Sequence, residues 1–211
     1  MTELDEIRGT IVIVDDDHPV QESLQLLLES AGYETRCHRS GEDLLHHGPP
    51  DGPACLLLDL NMPGMNGIEV QEKLEASGWE TPIVFLTGHG DVPAAVKALK
   101  GGAVDFLQKN QLEPGTLLER VESCVSEHKR RILKLKASQQ QKERISRLTR
   151  REFQVAHLAA SGLTNKSIGL ELGISERTVE IHRGRAMTKL DLRTAADLAR
   201  MKPAFDRVEL N

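Results

Sequence analysis

The chain has 211 residues, enough for one large domain or two small ones, and 39% hydrophobic against 28% charged residues is ordinary for a globular protein. No segment approaches the roughly 20 apolar residues of a membrane span, and the N-terminus has no apolar signal core, so we expect a cytoplasmic protein without a membrane partner. Residues 1–127 carry 8 Lys/Arg against 23 Asp/Glu, a charge of −15, whereas residues 128–211 carry 19 against 9, a charge of +10. This asymmetry predicts two domains, of which the second either binds a polyanion or only presents a solvated basic surface.

Five short apolar runs alternate with amphipathic helical stretches between Thr10 and about His128. Each run has four or five residues, which is typical of strands in a parallel sheet covered on both faces. The runs are Ile11–Val14, Tyr33–Cys37, Cys55–Leu58, Ile83–Leu86 and Val104–Leu107. Five β/α alternations predict a doubly wound, flavodoxin-like α/β domain with a five-stranded parallel sheet.

The three cysteines, Cys37, Cys55 and Cys124, are far apart and form no CxxC pair. This spacing argues against a disulfide framework and against a zinc site. Cys37 and Cys55 lie within apolar runs, so we predict that both thiols are buried.

Polar side chains follow four of the five predicted strands. Asp15 and Asp16 follow the first strand, Asp59 the third, Thr87 the fourth and Lys109 the fifth. The carboxyl ends of parallel strands meet at one edge of the sheet, so these groups are expected to converge there. Carboxylates held close together repel one another unless a cation neutralises them, and an oxygen-only set suits Mg²⁺. One carboxylate can then act as the nucleophile toward a phosphoryl group, whose oxygens the lysine and the threonine bind.

The blocks IVIVDDD, LLLDLNMPGMNG, VFLTGHGD and VDFLQK resemble those of a response-regulator receiver domain, in the family's order. The resemblance implies a phosphorylated aspartate, a Mg²⁺ site and a pair of switch residues. By position these roles fall on Asp59 as phosphoacceptor, Asp15 and Asp16 as the acidic pair, Asp16, Asp59 and the Asn61 carbonyl as Mg²⁺ ligands, Thr87 as switch hydroxyl, Phe106 as switch aromatic and Lys109 as phosphate-binding lysine.

The chain departs from the receiver pattern directly after Lys109. The family usually has proline there, often through a cis peptide bond, whereas this chain has Asn110. A non-proline peptide prefers trans by roughly 2.5–4 kcal/mol, so the loop that aims Lys109 is expected to differ. This leaves open a constitutive regulator whose receiver only docks partners.

One long helical stretch joins the two halves of the chain, from about Leu117 to Leu148. Its apolar stripe ends near Leu135, and the following residues, ASQQQKER, are polar. We therefore expect a receiver domain over 1–127, a helical linker over 128–147 and a second domain over 148–211. A short dimerising coiled coil is a weaker interpretation, because Gln139 and Lys142 occupy positions of its apolar seam.

Four helices and no strand are predicted beyond Leu148. They lie at about 149–161, 165–172, 176–190 and 193–201. Gly173 stands where a chain leaving a helix needs a left-handed residue, and Ser175 is a good N-cap for the next helix. Two helices joined by a tight glycine turn form a helix-turn-helix, whose second helix enters the DNA major groove.

The segment LTRREFQVAHLAASGLTNKSIGLELGISERTVEIHRGRAMTKL resembles the LuxR/FixJ/NarL effector domain, and TGHGD in the first domain favours the FixJ branch. Predicted DNA contacts lie on the second helix of the motif and at helix starts. They are Lys166, Ser167, Arg177, Thr178, Glu180, Ile181, His182, Arg183, Gly184, Arg185 and Lys189. Glu180 either accepts a hydrogen bond from cytosine N4 or pairs with Arg183. Arg183 and Arg185 are expected to favour phosphates over bases.

Together the two resemblances imply a phosphorylation-controlled transcription regulator. A cognate sensor histidine kinase would phosphorylate Asp59 with Mg²⁺, and promoter DNA and RNA polymerase would be partners. Phosphorylation would either form a homodimer or release an inhibitory interdomain contact. The alternative is an enzyme, a Mg²⁺-dependent phosphatase or phosphotransferase with a strand-end aspartate. A basic helix-turn-helix would be superfluous there, so we expect no enzymatic activity beyond self-phosphorylation.

Overall fold

A computed structural model of the chain describes residues 8–88 and 92–207. These residues form two compact units, which divide between Ile132 and Leu133. None of the helices in the described ranges is both long and apolar enough to cross a membrane.

The first unit is built on a five-stranded parallel sheet. Its strands are β1 (Thr10–Val14), β2 (Glu34–His38), β3 (Ala54–Asp59), β4 (Ile83–Thr87) and β5 (Asp105–Gln108). The strand order is β2-β1-β3-β4-β5, and each neighbouring pair is parallel. The predicted doubly wound fold is therefore confirmed. In sheets with this strand order, ligands bind at the carboxyl ends of the strands.

Helices cover both faces of this sheet. They are α1 (His18–Ser30), α2 (Gly41–His47), α3 (Gly67–Ala76), α4 (Val92–Lys100) and α5 (Pro114–Ser146). Side chains of alternating strand residues pack into two cores. One core joins the sheet to α1 and α5, and the other joins it to α2, α3 and α4. Asn66 and Glu69 start α3 with a reciprocal capping box, which fixes the exit of the chain from the carboxyl edge.

Two of the strands begin one residue later than the apolar pattern predicts. The pattern starts a strand at Tyr33, but the Tyr33 N–H donates to the Leu28 carbonyl at 3.1 Å in the turn after α1. Its side chain is nevertheless buried, at 5% exposure. The pattern likewise includes Val104 in β5, which begins at Asp105. In both cases an apolar residue lies directly before the strand, so the apolar run begins one residue earlier than the strand does.

The predicted burial of Cys37 is wrong, because its side chain is exposed. β2 is one of the two edge strands of the sheet, and of its five residues His38 alone is buried. The Cys37 thiol instead donates to Gln25 Oε1 on α1, at 3.8 Å. Cys55, on the central strand β3, is buried as predicted.

The second unit is helical. Its helices after α5 are α6 (Arg150–Ala160), α7 (Asn165–Leu172), α8 (Glu176–Leu190), α9 (Ala195–Arg200) and α10 (Lys202–Phe205). The predicted segments correspond to α6–α9, and the short α10 is an addition. Its Phe205 is 1% exposed and packs edge-on against Phe153, with ring centroids 5.3 Å apart. The end of α5 also contributes to this core through Ile145, which is 2% exposed.

The helix-turn-helix forms at α7 and α8, as predicted. Gly173 ends α7 in the left-handed region with φ 67°, and Ser175 caps α8 by accepting from the Thr178 N–H. Gly169 in α7 faces the returning chain, because a Cβ there would lie 2.8 Å from the Ile174 carbonyl oxygen. The close approach of α7 to the turn therefore requires glycine at this position.

A pair of glycine variants tests this packing. We expect Gly169→Ala to destabilise α7 and the turn by about 1–3 kcal/mol, because the methyl group overlaps the Ile174 carbonyl. A Cβ at Gly184 in α8 would meet open space, so Gly184→Ala should stabilise α8 by up to about 1 kcal/mol. Hydrogen–deuterium exchange of the α7 and α8 amides in the full chain measures both effects. Equal protection in the two variants would contradict the close approach.

Candidate functional site

The carboxyl edge of the sheet gathers the polar groups that follow the strands. Asp15 and Asp16 come directly after β1, Asp59 and Thr87 are the last residues of β3 and β4, and Lys109 follows β5. β1, β3, β4 and β5 are consecutive neighbours in the sheet, so their ends form one row. The predicted convergence of Asp15, Asp59 and Lys109 is present in the structure.

Lys109 bridges two buried carboxylates. Its Nζ lies 2.6 Å from Asp15 Oδ2 and 3.0 Å from Asp59 Oδ1. The Asp15 and Asp59 side chains are 1% and 6% exposed, and that of Lys109 is 20% exposed. Asp15 Oδ1 also accepts the Asp17 N–H at 3.1 Å. A single ammonium group thus neutralises part of the charge of two carboxylates that water hardly reaches.

The pKa values of this pocket reflect burial and the hydrogen bonds that Lys109 makes. Burial raises the pKa of Asp15, and the hydrogen bonds from Lys109 and from the Asp17 N–H offset only part of that effect. Burial alone would lower the pKa of Lys109, but its bonds to Asp15 and Asp59 outweigh burial and raise it. The lysine is therefore held charged, and an additional cation would stabilise the ionised form of Asp15.

Asp16 completes an oxygen-only cluster. One carboxylate oxygen from each of Asp15, Asp16 and Asp59 lies within 4.8 Å of the others. Asp16 is exposed, so this cluster opens to solvent on one side. Such a donor set fits a hard divalent cation that keeps several waters, as Mg²⁺ does. Asn61, two residues after Asp59, is exposed in the loop that leads to α3.

The two expected switch residues lie beside the pocket on neighbouring strands. Thr87 is fully buried at the end of β4. Phe106 on β5 is half-buried, and its ring centroid is 6.3 Å from that of Phe85. The TGHGD segment continues from Thr87, but its residues 89–91 lie outside the described ranges.

The departure at Asn110 does not keep Lys109 from the pocket. None of the peptide bonds in the described ranges is cis, as expected for Lys109–Asn110 without proline. Lys109, Asn110 and Gln111 form a 3₁₀ turn directly after β5. The ammonium group still reaches both carboxylates from this turn.

Gly67 and Gln21 lie against the main chain near the pocket, and neither is among the predicted site residues. A Cβ on Gly67 would lie 2.4 Å from the Asp59 carbonyl oxygen, so the turn after β3 requires glycine there. Gln21 is 4% exposed, and its Nε2 donates to the His38 carbonyl at 2.6 Å. The sequence signal for Gln21 is its helical spacing from the buried Leu24 and Leu28. A polar residue on such a face needs an internal partner.

Helix α8 exposes most of the predicted DNA-contacting residues. Its buried residues are Val179, Ala186 and Leu190, so the opposite face is free. The predicted residues that are exposed are Lys166, Ser167, Arg177, Glu180, Ile181, Gly184, Arg185 and Lys189. Those that are half-buried are Thr178, His182 and Arg183.

Two of these cations have partners inside the second unit. Arg183 Nη1 donates to Asn165 Oδ1 at 3.0 Å, which joins α8 to α7. Lys189 Nζ donates to Glu152 Oε2 at 2.6 Å, which joins α8 to α6. The alternative pairing of Arg183 with Glu180 does not form, and Glu180 has no ion pair among the described residues. Arg183 and Lys189 therefore hold α8 in position, a role that their places in the sequence do not reveal.

Residues 11–122 match the response regulator receiver domain, and residues 146–202 match the bacterial regulatory proteins of the luxR family. The first match covers the α/β unit with its acidic carboxyl edge, and the second covers the unit with the helix-turn-helix. The chain belongs to the response regulators of the FixJ/NarL type, in which a receiver domain is joined to a luxR-type DNA-binding domain.

Similar proteins match along nearly their full length. The transcriptional regulatory protein FixJ of Rhizobium meliloti is 39% identical over 91% of this chain and 94% of its own. The C4-dicarboxylate transport transcriptional regulatory protein DctR of Rhodobacter capsulatus is 41% identical over 91% and 98%. Two solved structures also match. Response regulator StyR has a TM-score of 0.84 and 42% identity, over 95% of this chain and 99% of its own. Full-length FixJ from B. japonicum has a TM-score of 0.59 and 35% identity, over 96% and 100%.

The Glu152–Lys189 contact can be tested through stability. We expect Glu152→Gln to lower the free energy of unfolding of the second unit by about 1–3 kcal/mol, because a buried, charge-assisted hydrogen bond is lost. Burial opposes ionisation of Glu152, but the hydrogen bonds from Lys189 and Thr149 lower its pKa below 4.5. The contribution is therefore complete above pH 4.5 and is lost as the pH falls through the lowered pKa. Urea unfolding should show a difference between wild type and Glu152→Gln at pH 7 that narrows in acid. A pH-independent difference would contradict this assignment.

Proposed function

We propose that Asp59 is the phosphoacceptor of the receiver and that its phosphorylation controls binding of promoter DNA by α8. The observation that carries this proposal is the position of Lys109 Nζ, in contact with both Asp15 and Asp59. The donor is a phosphohistidine of a cognate sensor histidine kinase. No further enzymatic activity is proposed. The proposed domains are 1–127, 128–147 as a helical linker, and 148–211.

The proposed chemistry is the transfer of a phosphoryl group from an imidazole nitrogen of the kinase to a carboxylate oxygen of Asp59. A carboxylate oxygen of Asp59 attacks the phosphorus, the phosphorus–nitrogen bond of the phosphohistidine breaks, and the imidazole leaves with the bonding electrons and takes up a proton. An acyl phosphate forms on Asp59. Lys109 remains beside the new group and binds one of its oxygens as a point charge.

Asp15, Asp16, Asp59 and the Asn61 carbonyl are the proposed ligands of Mg²⁺. The support for the three carboxylates is their oxygen-only cluster, in which Asp15 and Asp59 are buried. The support for Asn61 is its position in the loop that follows Asp59. The ion supplies charge neutralisation for the phosphoryl oxygens. Thr87 and Phe106 are the proposed switch residues, because they lie on β4 and β5, the two strands that follow Asp59 across the sheet.

The proposed DNA interface is the exposed face of α8 with the helix starts of α7 and α8. Arg177 and Arg185 are exposed cations suited to phosphates, and Glu180 is an exposed acceptor suited to cytosine N4. Ile181 exposes 46% of an apolar side chain beside them, which suits contact with a thymine methyl group. With promoter DNA as partner, the protein acts in the cytoplasm, together with RNA polymerase.

A homodimer is the proposed active form. Val92, Val96 and Leu99 lie on one face of α4 and are 71%, 45% and 47% exposed. An apolar face of this kind supports association of two receivers, and two DNA-binding units read two half-sites more tightly than one. Release of an interdomain contact is the alternative route to activation.

The phosphorylation step is tested with acetyl phosphate and Mg²⁺. We expect the wild-type protein to gain the mass of one phosphoryl group and Asp59→Asn to gain none, because its amide is not a nucleophile. Lys109→Ala should be phosphorylated but fail to respond, since the point charge beside the acyl phosphate is missing. Intact-mass spectrometry measures phosphorylation, light scattering measures dimerisation, and DNA titration measures the change in DNA affinity. Sustained turnover of phosphoester substrates would favour an enzyme, and full activation by Asp59→Asn in the presence of the kinase would favour a constitutive regulator.

The DNA interface is tested by removing one cation at a time. We expect Arg185→Ala to weaken binding to all sequences alike and to reduce the slope of log affinity against log salt by about 0.9, as loss of one phosphate contact does. Arg200→Ala is the control, because it removes the same charge from α9, where Arg200 pairs with Asp197 at 3.2 Å. Fluorescence anisotropy at several salt concentrations measures both. Equal slopes for the two variants would remove Arg185 from the interface.

A further inference from the structure

A second group of metal-ligand side chains lies on the first unit, where β2 leads into α2. His38 is the last residue of β2, Asp43 lies in the first turn of α2, and His47 is the last residue of that helix. One ligand atom from each of the three side chains lies within 4.8 Å of the others. None of the three belongs to the sequence blocks that resemble the receiver family.

Local structure explains why the three side chains meet. Ser40 caps α2 by accepting the Asp43 N–H at 3.2 Å, which fixes the first turn of the helix. Asp43 and His47 are four residues apart, so they lie on the same face of the helix. His38 reaches that face from the end of β2, and its side chain is only 8% exposed. One ligand is therefore held by the core, while Asp43 and His47 are open to solvent.

The spacing of the ligand atoms is close to that of a metal site. His38 Nδ1 lies 2.9 Å from Asp43 Oδ2, and His47 Nδ1 lies 3.2 Å from Asp43 Oδ1. The two imidazole centroids are 5.0 Å apart. In tetrahedral zinc sites with bonds of about 2.0–2.2 Å, neighbouring ligand atoms are about 3.3–3.6 Å apart. The two measured distances end on different oxygens of Asp43, and small rotations of the exposed Asp43 and His47 side chains would bring one carboxylate oxygen and both nitrogens to that spacing.

We propose that His38, Asp43 and His47 form a binding site for a transition-metal ion of the Zn²⁺ class. Two imidazoles and one carboxylate are ligands that such an ion takes, with water in the remaining position. Mg²⁺ prefers the oxygen-only set of the acidic pocket, so the two sites select different ions.

Without a metal the same atoms form ordinary hydrogen bonds. His47 Nδ1 lies 2.9 Å from the Asp43 carbonyl oxygen as well as near the carboxylate. A metal ion would take the place of the proton on each of these nitrogens, and in a neutral imidazole that proton moves to Nε2, so each ring stays neutral.

The site is also connected to the acidic pocket through the main chain. The His38 carbonyl oxygen accepts the Asp15 N–H at 3.2 Å and Gln21 Nε2 at 2.6 Å. An ion bound by the His38 ring would therefore act on the same residue whose carbonyl oxygen helps to position Asp15.

Titration calorimetry of Zn²⁺ into the full chain, without an affinity tag and with excess Mg²⁺ to occupy the acidic pocket, tests the proposal. We expect one Zn²⁺ per chain. His47→Gln and Asp43→Asn should each weaken the affinity at least about tenfold. His46→Gln is the matched control, because His46 is the exposed neighbour of His47 and lies outside the cluster. The Zn²⁺ affinity of His46→Gln should equal that of the wild-type protein.

The proposal is overturned if Zn²⁺ does not bind in the presence of Mg²⁺, or if His47→Gln and Asp43→Asn bind it as wild type does. Loss of binding in His46→Gln equal to that in His47→Gln would also overturn it. His47 has a side chain 60% exposed, so its variant keeps the fold even if Asp43→Asn weakens α2. Circular dichroism of each variant verifies this.

Discussion

The receiver unit depends on one ammonium group shared by two buried carboxylates. Lys109 contacts Asp15 and Asp59, which water hardly reaches. Removing one partner from such a pair leaves a buried charge uncompensated, which costs far more than the intact pair contributes. The three residues lie at the ends of β1, β3 and β5, so their charged groups meet only when those strands lie in the observed order. The sheet topology and the acidic pocket are therefore a single constraint.

Much of that constraint could be predicted from the sequence, because parallel strands bring their carboxyl ends together whatever the details of packing. Asp59 and Lys109 follow apolar runs, and the structure places both at the predicted edge. The same apolar signal wrongly predicts that β2 begins at Tyr33 and that Cys37 is buried. An apolar run reports side-chain environment on average, and it carries no information on which strand lies at the sheet edge. Edge position depends on the order of strands, which is a long-range property.

The helices of the second unit could be predicted to within a few residues, since each of α6–α9 begins at a Ser or Thr cap and α7 ends at a left-handed Gly173. Contacts between distant residues could not. Glu152 and Lys189 are 37 residues apart, and Asn165 and Arg183 are 18 apart. A charged side chain on the polar face of a predicted helix is expected to be without a partner in the protein. Only the packing of α6 and α7 against α8 shows that Arg183 and Lys189 have partners there.

The ion pairs of Lys109 and Lys189 have opposite consequences for function. A DNA phosphate that recruits Lys189 must take it from Glu152, whose side chain is 5% exposed, and so leave that carboxylate buried without its partner. We therefore expect Lys189 to add less DNA affinity than the exposed Arg185 at the proposed interface. Lys109 meets the reverse situation in the proposed reaction, because the phosphoryl group would be added to Asp59, one of its own partners. The ammonium group would keep its contact and gain charge to bind, so the same kind of ion pair fixes a helix in one unit and would remain available for chemistry in the other.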